Sequence, residues 1–426
     1  MKHTLTASLA LALAIAVLPG TALAHKQWLV PSATVVASND PWVSVDAAVS
    51  NQLYYPDHVP MRLDNIAITA PDGSTLKPQN PATGKYRSVF DVPPRSEAFD
   101  DEPLRPYNVT PDGLLMNFRS VIYTFTPDTA RGRAQVRSEP PLAGLDVPAD
   151  VPLAAGPCND WRSGLKADFG DALRPRFAGS YPASCGERPW PVAFAQAEQY
   201  APRMLEALWR QAGGRLGGQV RWGALPAQAR LLVTHESLPL KTVVADINKM
   251  SNNVMAQQLF LTLSSELGAP GRFEASRLRL SRWWRQQFAD LPEPVIENGS
   301  GLSREERSTA RSLTRLLLQA RRDPLGPVFT ESLAIAGVDG TVTRMAERLP
   351  GSPLIGHAWL KTGSLRDVAS VAGYVQGESG RLYAVVAIIN HANARQARPV
   401  LDKLLDWTAR DQATAPSAHA RKRLAH

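Results

Sequence analysis

Hydrophobic and polar positions change rhythm twice along this chain. Between His25 and about Phe90 the rhythm is that of strands: PWVSVDAAVS alternates, MRLDNIAITA is a β-branched run, and APDGS carries an Asp-Gly turn. From about Asp91 to Gly218, proline and turn residues surround two strand-like runs, SVIYTFTP and AQVRSEPP, which predicts an irregular, mostly β unit. Helical spacing then takes over. Met204, Leu205, Leu208 and Trp209 fall on one face before Gly213, KTVVADINKM runs into VMAQQLFLTLSSEL, which is expected to end at Gly268, and RLRLSRWWRQQF and ARSLTRLLLQARR follow. The last part offers strands at AWLKTG, VASVAGYVQ and LYAVVAIIN, the latter two joined by GESG, and a closing helix through VLDKLLDW. Helices followed by antiparallel strands predict an α+β fold in which helices cover an antiparallel sheet.

Composition sets the scale. With 426 residues, 44% hydrophobic and 20% charged, the chain can build two or three globular domains. Its first 24 residues, MKHTLTASLALALAIAVLPGTALA, combine a short basic start, an apolar run and small residues at Ala22 and Ala24, the pattern of a secretory leader. No later segment reaches the roughly 20 apolar residues of a spanning helix, so the expected location is the periplasm, with no stable membrane span. In that compartment the two cysteines, Cys158 and Cys185, are expected to pair, and they give no zinc pattern. The formal net charge of +8 is partly carried by the terminal ARKRLAH, read as a solvated tail; no basic module interleaved with aromatics points to nucleic acid.

Two short stretches carry chemistry. Ser251 and Asn253, in SNN, sit where two helical patterns meet, so a hydroxyl able to relay a proton and a carboxamide able to hold a substrate amide project from a turn. In KTGS, Lys361 supplies positive charge at the end of a strand pattern, Thr362 can bond a substrate carboxylate, and Gly363 allows an extended backbone to approach. In this order they are two of the three elements of a penicillin-recognising serine acyltransferase, the third being a Ser-x-x-Lys that carries the nucleophile.

Beyond these motifs, DDEPLRPYNVTPDGLLMNF, HESLPLKTVVADINKMSNNVMAQQL, ENGSGLSREER, LAIAGVDGTVTRM and WLKTGSLRDVASVAGYV resemble the D-alanyl-D-alanine carboxypeptidase/endopeptidase family of low-molecular-mass penicillin-binding proteins, over about residues 91–410. The resemblance implies a β-lactamase-like domain with a mostly β insertion. It implies hydrolysis of D-alanyl bonds in peptidoglycan stem peptides through a serine acyl-enzyme, β-lactams as ligands, and no metal or other cofactor. Ser251, Asn253 and Lys361 would be catalytic, with Thr362, Gly363 and Ser364 lining the substrate cleft.

The front of the chain departs from that pattern. In the family the nucleophile helix precedes the insertion, whereas residues 25–90 resemble the opening of a nickel-transport-like periplasmic β-domain, with RSVFDV suiting both. The expected division is a leader at 1–24, a β-rich fragment of a second family at 25–90, the inserted domain at 91–225, a catalytic-type domain truncated on its N-terminal side at 226–410, and a disordered basic tail at 411–426. A junction near RSVFDV implies a fused reading frame. Ser-x-x-Lys occurs twice, at Ser74 with Lys77 and at Ser163 with Lys166. Ser74 follows an Asp-Gly turn and Lys77 precedes Pro78, which leaves no room for the helix this chemistry needs, and Ser163 lies in the cysteine loop. The nucleophile is therefore expected to be missing. Two other readings stay open: a metal-binding periplasmic protein, using His25 as a new N-terminus with His58, and a pseudoenzyme that binds wall peptides without cutting them.

Overall fold

The computed structural model describes residues 99–223, 229, 237–265 and 270–411, together with the backbone of four short strands nearer the start. Of those four, β1 (Gln27–Pro31) pairs antiparallel with β2 (Val45–Val49), and β3 (Ile68–Thr69) with β4 (Thr75–Leu76). Among the described residues no helix is long and apolar enough to cross a membrane.

The prolines and alternating apolar residues of the next stretch build a five-stranded sheet. Its members are β5 (Ser120–Asp128), β6 (Arg133–Glu139), β7 (Asp150–Ala154), β10 (Tyr181–Pro182) and β11 (Arg188–Ala193), in the order β10-β7-β6-β5-β11. A small hairpin, β8 (Ala167–Asp168) with β9 (Arg176–Phe177), is a separate ladder whose Phe177 packs edge-on against Phe125 of β5. Pro189 and Pro191 have no N–H for a ladder, and they occur in β11, which is an edge strand paired only with β5. Val121, Tyr123 and Phe125 on alternate positions of β5 are almost fully buried, and Phe125 stacks on Tyr181 with ring centroids 5.5 Å apart. One helical turn, α1 (Trp161–Gly164), precedes the hairpin, and α2 (Ala197–Gln211) lays Tyr200, Ala201, Met204 and Leu205 onto the same core. Cys158 and Cys185 are disulfide-bonded beside this core, with Cys185 buried in it.

The second unit is the predicted sheet covered by helices. Helices α3 (Leu240–Met250), α4 (Asn253–Thr262), α5 (Phe273–Gln287), α6 (Ala310–Arg322) and α7 (Gly326–Ser332) come first. The antiparallel sheet then runs β12 (Ala334–Ile335), β13 (Ala358–Ser364), β14 (Val368–Gln376) and β15 (Leu382–Asn390) in simple order, with a short α8 (Met345–Arg348) after β12. The closing helix α9 (Arg398–Ala409) packs Leu401, Leu405 and Ala409 against Ala358, Leu360, Val371 and Val375 on one face. On the other face Leu317 of α6 and Phe329 of α7 meet Trp359, Tyr374 and Val386. Each strand residue thus chooses its helix by parity alone.

Two features differ from the pattern read along the chain. Helix α4 stops at Thr262 rather than continuing to Gly268, because the Ser264 hydroxyl accepts from the Arg272 N–H at 3.0 Å and meets the Ser276 hydroxyl at 2.7 Å, turning the chain into α5. Residues just before β5 divide between the two cores: Leu114 and Met116 pack with the five-stranded sheet, while others, together with Ala193 of β11, pack with the helices. Val109, Leu115 and Phe118 join Ile247, Val254 and Met255, while the Gln258 carboxamide accepts from Asp112 N–H at 3.0 Å and donates to its carbonyl at 2.8 Å. This pair of hydrogen bonds between side chain and backbone fixes α4, and with it the start of the candidate site.

Candidate functional site

Ser251 is where α3 must end. Its backbone is left-handed, with φ 56° and ψ 44°, and its N–H closes onto the Ile247 carbonyl, so a serine occupies a position usually filled by glycine. The next residue reverses the role: the Asn252 side chain accepts from Met255 N–H at 3.0 Å and caps the start of α4. Asn253 is the first residue of α4. The three letters SNN therefore encode a corner that ends one helix, starts another and leaves the Ser251 hydroxyl at the apex.

That corner is held against the sheet by polar contacts. Lys249 Nζ lies 2.6 Å from Asp339 Oδ2, the other carboxylate oxygen of Asp339 accepts from Ile335 N–H at 2.7 Å, and Asn248 donates to the Ser332 hydroxyl at 2.8 Å. Gly340, at φ 59°, lies so close that a Cβ there would stand 2.5 Å from the Lys249 carbonyl oxygen. The last turn of α3 is thus fastened to the segment leaving β12, and β12 is the neighbour of β13.

Lys361, on β13, reaches that apex. Its Nζ donates to Ser251 Oγ at 2.7 Å and to the Thr362 carbonyl at 2.8 Å, across a separation of 110 residues for the first contact. Burial among these elements pushes the ammonium down to about 8. Among the described residues, the Lys361 amine is the one hydrogen-bond partner of the Ser251 hydroxyl.

The backbone of β13 adds an open edge. Gln376 N–H bonds the His357 carbonyl and Leu365 N–H bonds that of Val368, so by the two-residue alternation of an antiparallel ladder the odd-numbered residues of β13 face β14. Thr362 and Ser364 turn their N–H and C=O groups the other way. There β12 pairs with Trp359 and Leu360 only, and among the described residues no strand lies beside Thr362 to Ser364. Side-chain parity separates the residues that the sequence places together. Lys361 shares the face of Trp359 with α6 and α7, while Thr362 and Ser364 share the face of Leu360 with α9, so they bracket the edge from two sides. A Cβ at Gly363 would stand 2.5 Å from Ser370 Oγ, so a larger residue there would have to turn that hydroxyl aside.

Other neighbours were not singled out by residue in the sequence, although Ser300 and Thr341 lie in stretches that carry the family resemblance. Asn253 Nδ2 donates to the Ser300 carbonyl at 3.3 Å, which brings the ENGSGLS turn to the site, and that turn is anchored by the buried Asn298, whose Oδ1 accepts from the Ser300 hydroxyl at 2.6 Å. Thr341 and Thr362 share a hydroxyl contact of 3.0 Å, and exposed Arg398 donates to Ser364 Oγ at 3.4 Å. Nothing local in ENGSGLS says which helix it faces.

The other candidate residues lie elsewhere. Ser163 is exposed in α1 and donates its hydroxyl to Asp160 Oδ2 at 2.5 Å, which makes it part of a helix cap in the disulfide-bonded unit, with Lys166 exposed beyond it. Ser74, Lys77, His25 and His58 fall outside the described residues. Among the described residues no three His, Cys, Asp or Glu side chains gather as a metal site.

Comparison with known proteins gives this geometry a context. The profile of the D-Ala-D-Ala carboxypeptidase 3 (S13) family matches residues 87–411, and that of a domain of unknown function (DUF4198) matches residues 22–99. The D-alanyl-D-alanine carboxypeptidase DacB of Haemophilus influenzae is 29% identical over 206 residues, 48% of this chain and 43% of that protein. A D-alanyl-D-alanine carboxypeptidase of Actinomadura sp. is 30% identical over 205 residues, 46% of this chain and 37% of that one. The matched segment thus spans less than half the length of either relative. In fold, the chain is similar to the crystal structure of penicillin binding protein 4 (dacB) from Haemophilus influenzae, with a TM-score of 0.60 and 19% identity over 90% of this chain and 86% of that one. With its profile matched over residues 87–411, the chain belongs to the D-Ala-D-Ala carboxypeptidase 3 (S13) family.

Proposed function

We propose that the cleft between the Ser251 corner and the open edge of β13 receives the D-alanyl end of a peptidoglycan stem peptide, or a β-lactam in its place, in the periplasm, and that this chain binds such ligands without completing the family's acyl-enzyme cycle. The observation that carries the reading is the 2.7 Å contact of Lys361 Nζ with Ser251 Oγ beside a free strand edge. An extended peptide can add to that edge through the backbone groups of Thr362 and Ser364. Its terminal carboxylate then meets the Lys361 ammonium, the Thr362 hydroxyl and the Arg398 guanidinium, each a donor suited to an anion. Asn253 supplies an amide for the penultimate peptide unit, and the Ser251 hydroxyl, which accepts from Lys361, can donate its own hydrogen to the ligand.

Acylation in this family asks for a serine one helical turn before a lysine, and of the two such pairs in the chain one has its serine bonded to the Asp160 cap of α1 in the disulfide-bonded unit while the other runs into Pro78. Binding and charge stabilisation then remain without that nucleophile. The test is to incubate the purified chain with a fluorescent penicillin and, separately, with a D-Ala-D-Ala-terminated peptide. Reversible binding weakened about tenfold or more by Lys361→Ala, with no stable labelled band in a denaturing gel, is the expected result. A strong covalent band that disappears in Ser74→Ala or Ser163→Ala would overturn it, as would the absence of any binding.

A further inference from the structure

The contact between Lys361 and Ser251 has a second chemical capacity. Ser251 is not a relaxed surface hydroxyl: its left-handed backbone places Oγ at the apex of a tight corner, Lys361 is its partner among the described residues, and the other amine contact, to the Thr362 carbonyl, orients the nitrogen. When the amine is neutral, its N–H groups satisfy the Thr362 carbonyl and its lone pair faces the Ser251 hydroxyl, which then donates. This is the geometry of a nucleophile beside its base. We propose that Ser251 and Lys361 form a serine–lysine pair that hydrolyses small uncharged acyl esters, an activity separate from the one the family's missing Ser-x-x-Lys serine would perform. The inference rests on the same placement of Lys361 beside Ser251 as the binding reading, but it uses the opposite charge state of the lysine.

In the step, Ser251 Oγ attacks the ester carbonyl carbon and its proton passes to Lys361 Nζ. The bond from carbon to the leaving oxygen then breaks, and that oxygen takes the proton from Lys361 as the alcohol departs. Water, deprotonated by the again neutral Lys361, attacks the acyl carbon; the carbon to Oγ bond breaks, Oγ recovers the proton, and a carboxylic acid leaves. The outward-facing N–H of Ser364 on the open edge of β13 is a donor of the kind that stabilises a developing oxyanion. The ester must be uncharged because a carboxylate placed against Lys361 favours the ammonium, and an ammonium cannot accept the serine proton.

The pair can be read with p-nitrophenyl acetate and with a fluorophosphonate probe on the full chain. Ester hydrolysis is expected to rise with pH through about 8, following loss of the Lys361 proton. It should fall at least tenfold in Ser251→Ala and in Lys361→Met, and stay unchanged in Ser163→Ala. Independently of how the variants fold, mass spectrometry of the fluorophosphonate-treated parent should place the phosphonyl group, attached with loss of fluoride, on the peptide containing Ser251. An adduct on another serine, no adduct, or hydrolysis that persists in Ser251→Ala would overturn the proposal. Binding of the D-Ala-D-Ala peptide, measured by calorimetry, should instead weaken as pH rises through the same range. Loss of binding with intact esterase activity would sink the peptide reading alone, and the reverse outcome would sink this one alone.

Discussion

At the scale of single residues, the site turns on one amine. Lys361 is held near a pKa of about 8 by burial, against 10.5 for a lysine in water, so the fold prefers its neutral form. The sign of the linkage follows. Below pH 8 the protein carries the cost of burying an ammonium, and stability attributable to this group rises as pH goes from about 8 toward 10.5. Relative to Lys361→Met, the parent should therefore gain at most about 3 kcal/mol across that window, read from urea midpoints at pH 7.5 and 10. A flat difference between the two proteins would mean that the amine is solvated. The residue types at the site were legible in the chain, because SNN and KTGS name a hydroxyl, a carboxamide, a cation and a glycine with definite chemical uses. The desolvation was not, because it is produced by elements distant in sequence.

At the scale of elements, the corner between α3 and α4 depends on its fastening to the turn after β12. In Asp339→Ala, Lys249 loses its ion-pair partner and the Ile335 N–H its acceptor, which should cost about 1–3 kcal/mol and weaken ligand binding more than distant substitutions of similar cost. Gly340→Ala tests the same joint sterically. A left-handed alanine whose Cβ stands 2.5 Å from the Lys249 carbonyl oxygen forces α3 away from β13, with an expected loss of about 1–3 kcal/mol in denaturant unfolding and a lower affinity for the fluorescent penicillin. A Gly340→Ala protein with parental affinity would show that the joint does not position Ser251. Periodicity announced α3, α4, α6 and the strands β13 to β15, since apolar spacing within a window is a local property. The end of α4 was hidden, because Ser264 stops it through contacts with Arg272 and Ser276 that no helical window includes.

At the scale of the whole molecule, the disulfide and the cleft belong to different cores. Cys158 and Cys185, at a sequence separation of 27, close a loop beside the five-stranded sheet, while Lys361 and Ser251 lie on the four-stranded unit. Reduction should destabilise the first unit by about 3 kcal/mol, seen as an earlier calorimetric transition, and leave the pH dependence of ligand binding unchanged. A matching shift in the binding profile would show that the units are coupled, and the Gln258 to Asp112 bonds name the route to examine. The α+β class follows from the sequence by itself: local rhythm decides which segments are helices or strands, and their order along the chain points to a sheet covered by helices. The chemistry on offer, and the expectation that neither Ser-x-x-Lys pair can carry the nucleophile, are equally matters of composition and spacing. Only the tertiary structure decided that two motifs separated by 110 residues touch at 2.7 Å, that Thr362 and Lys361 bracket an open strand edge from opposite faces, and that Ser300, Thr341 and Arg398 belong beside them. The physical reason is that contact, burial and edge exposure are set by how elements pack across the chain, and that information is carried by no single stretch of it.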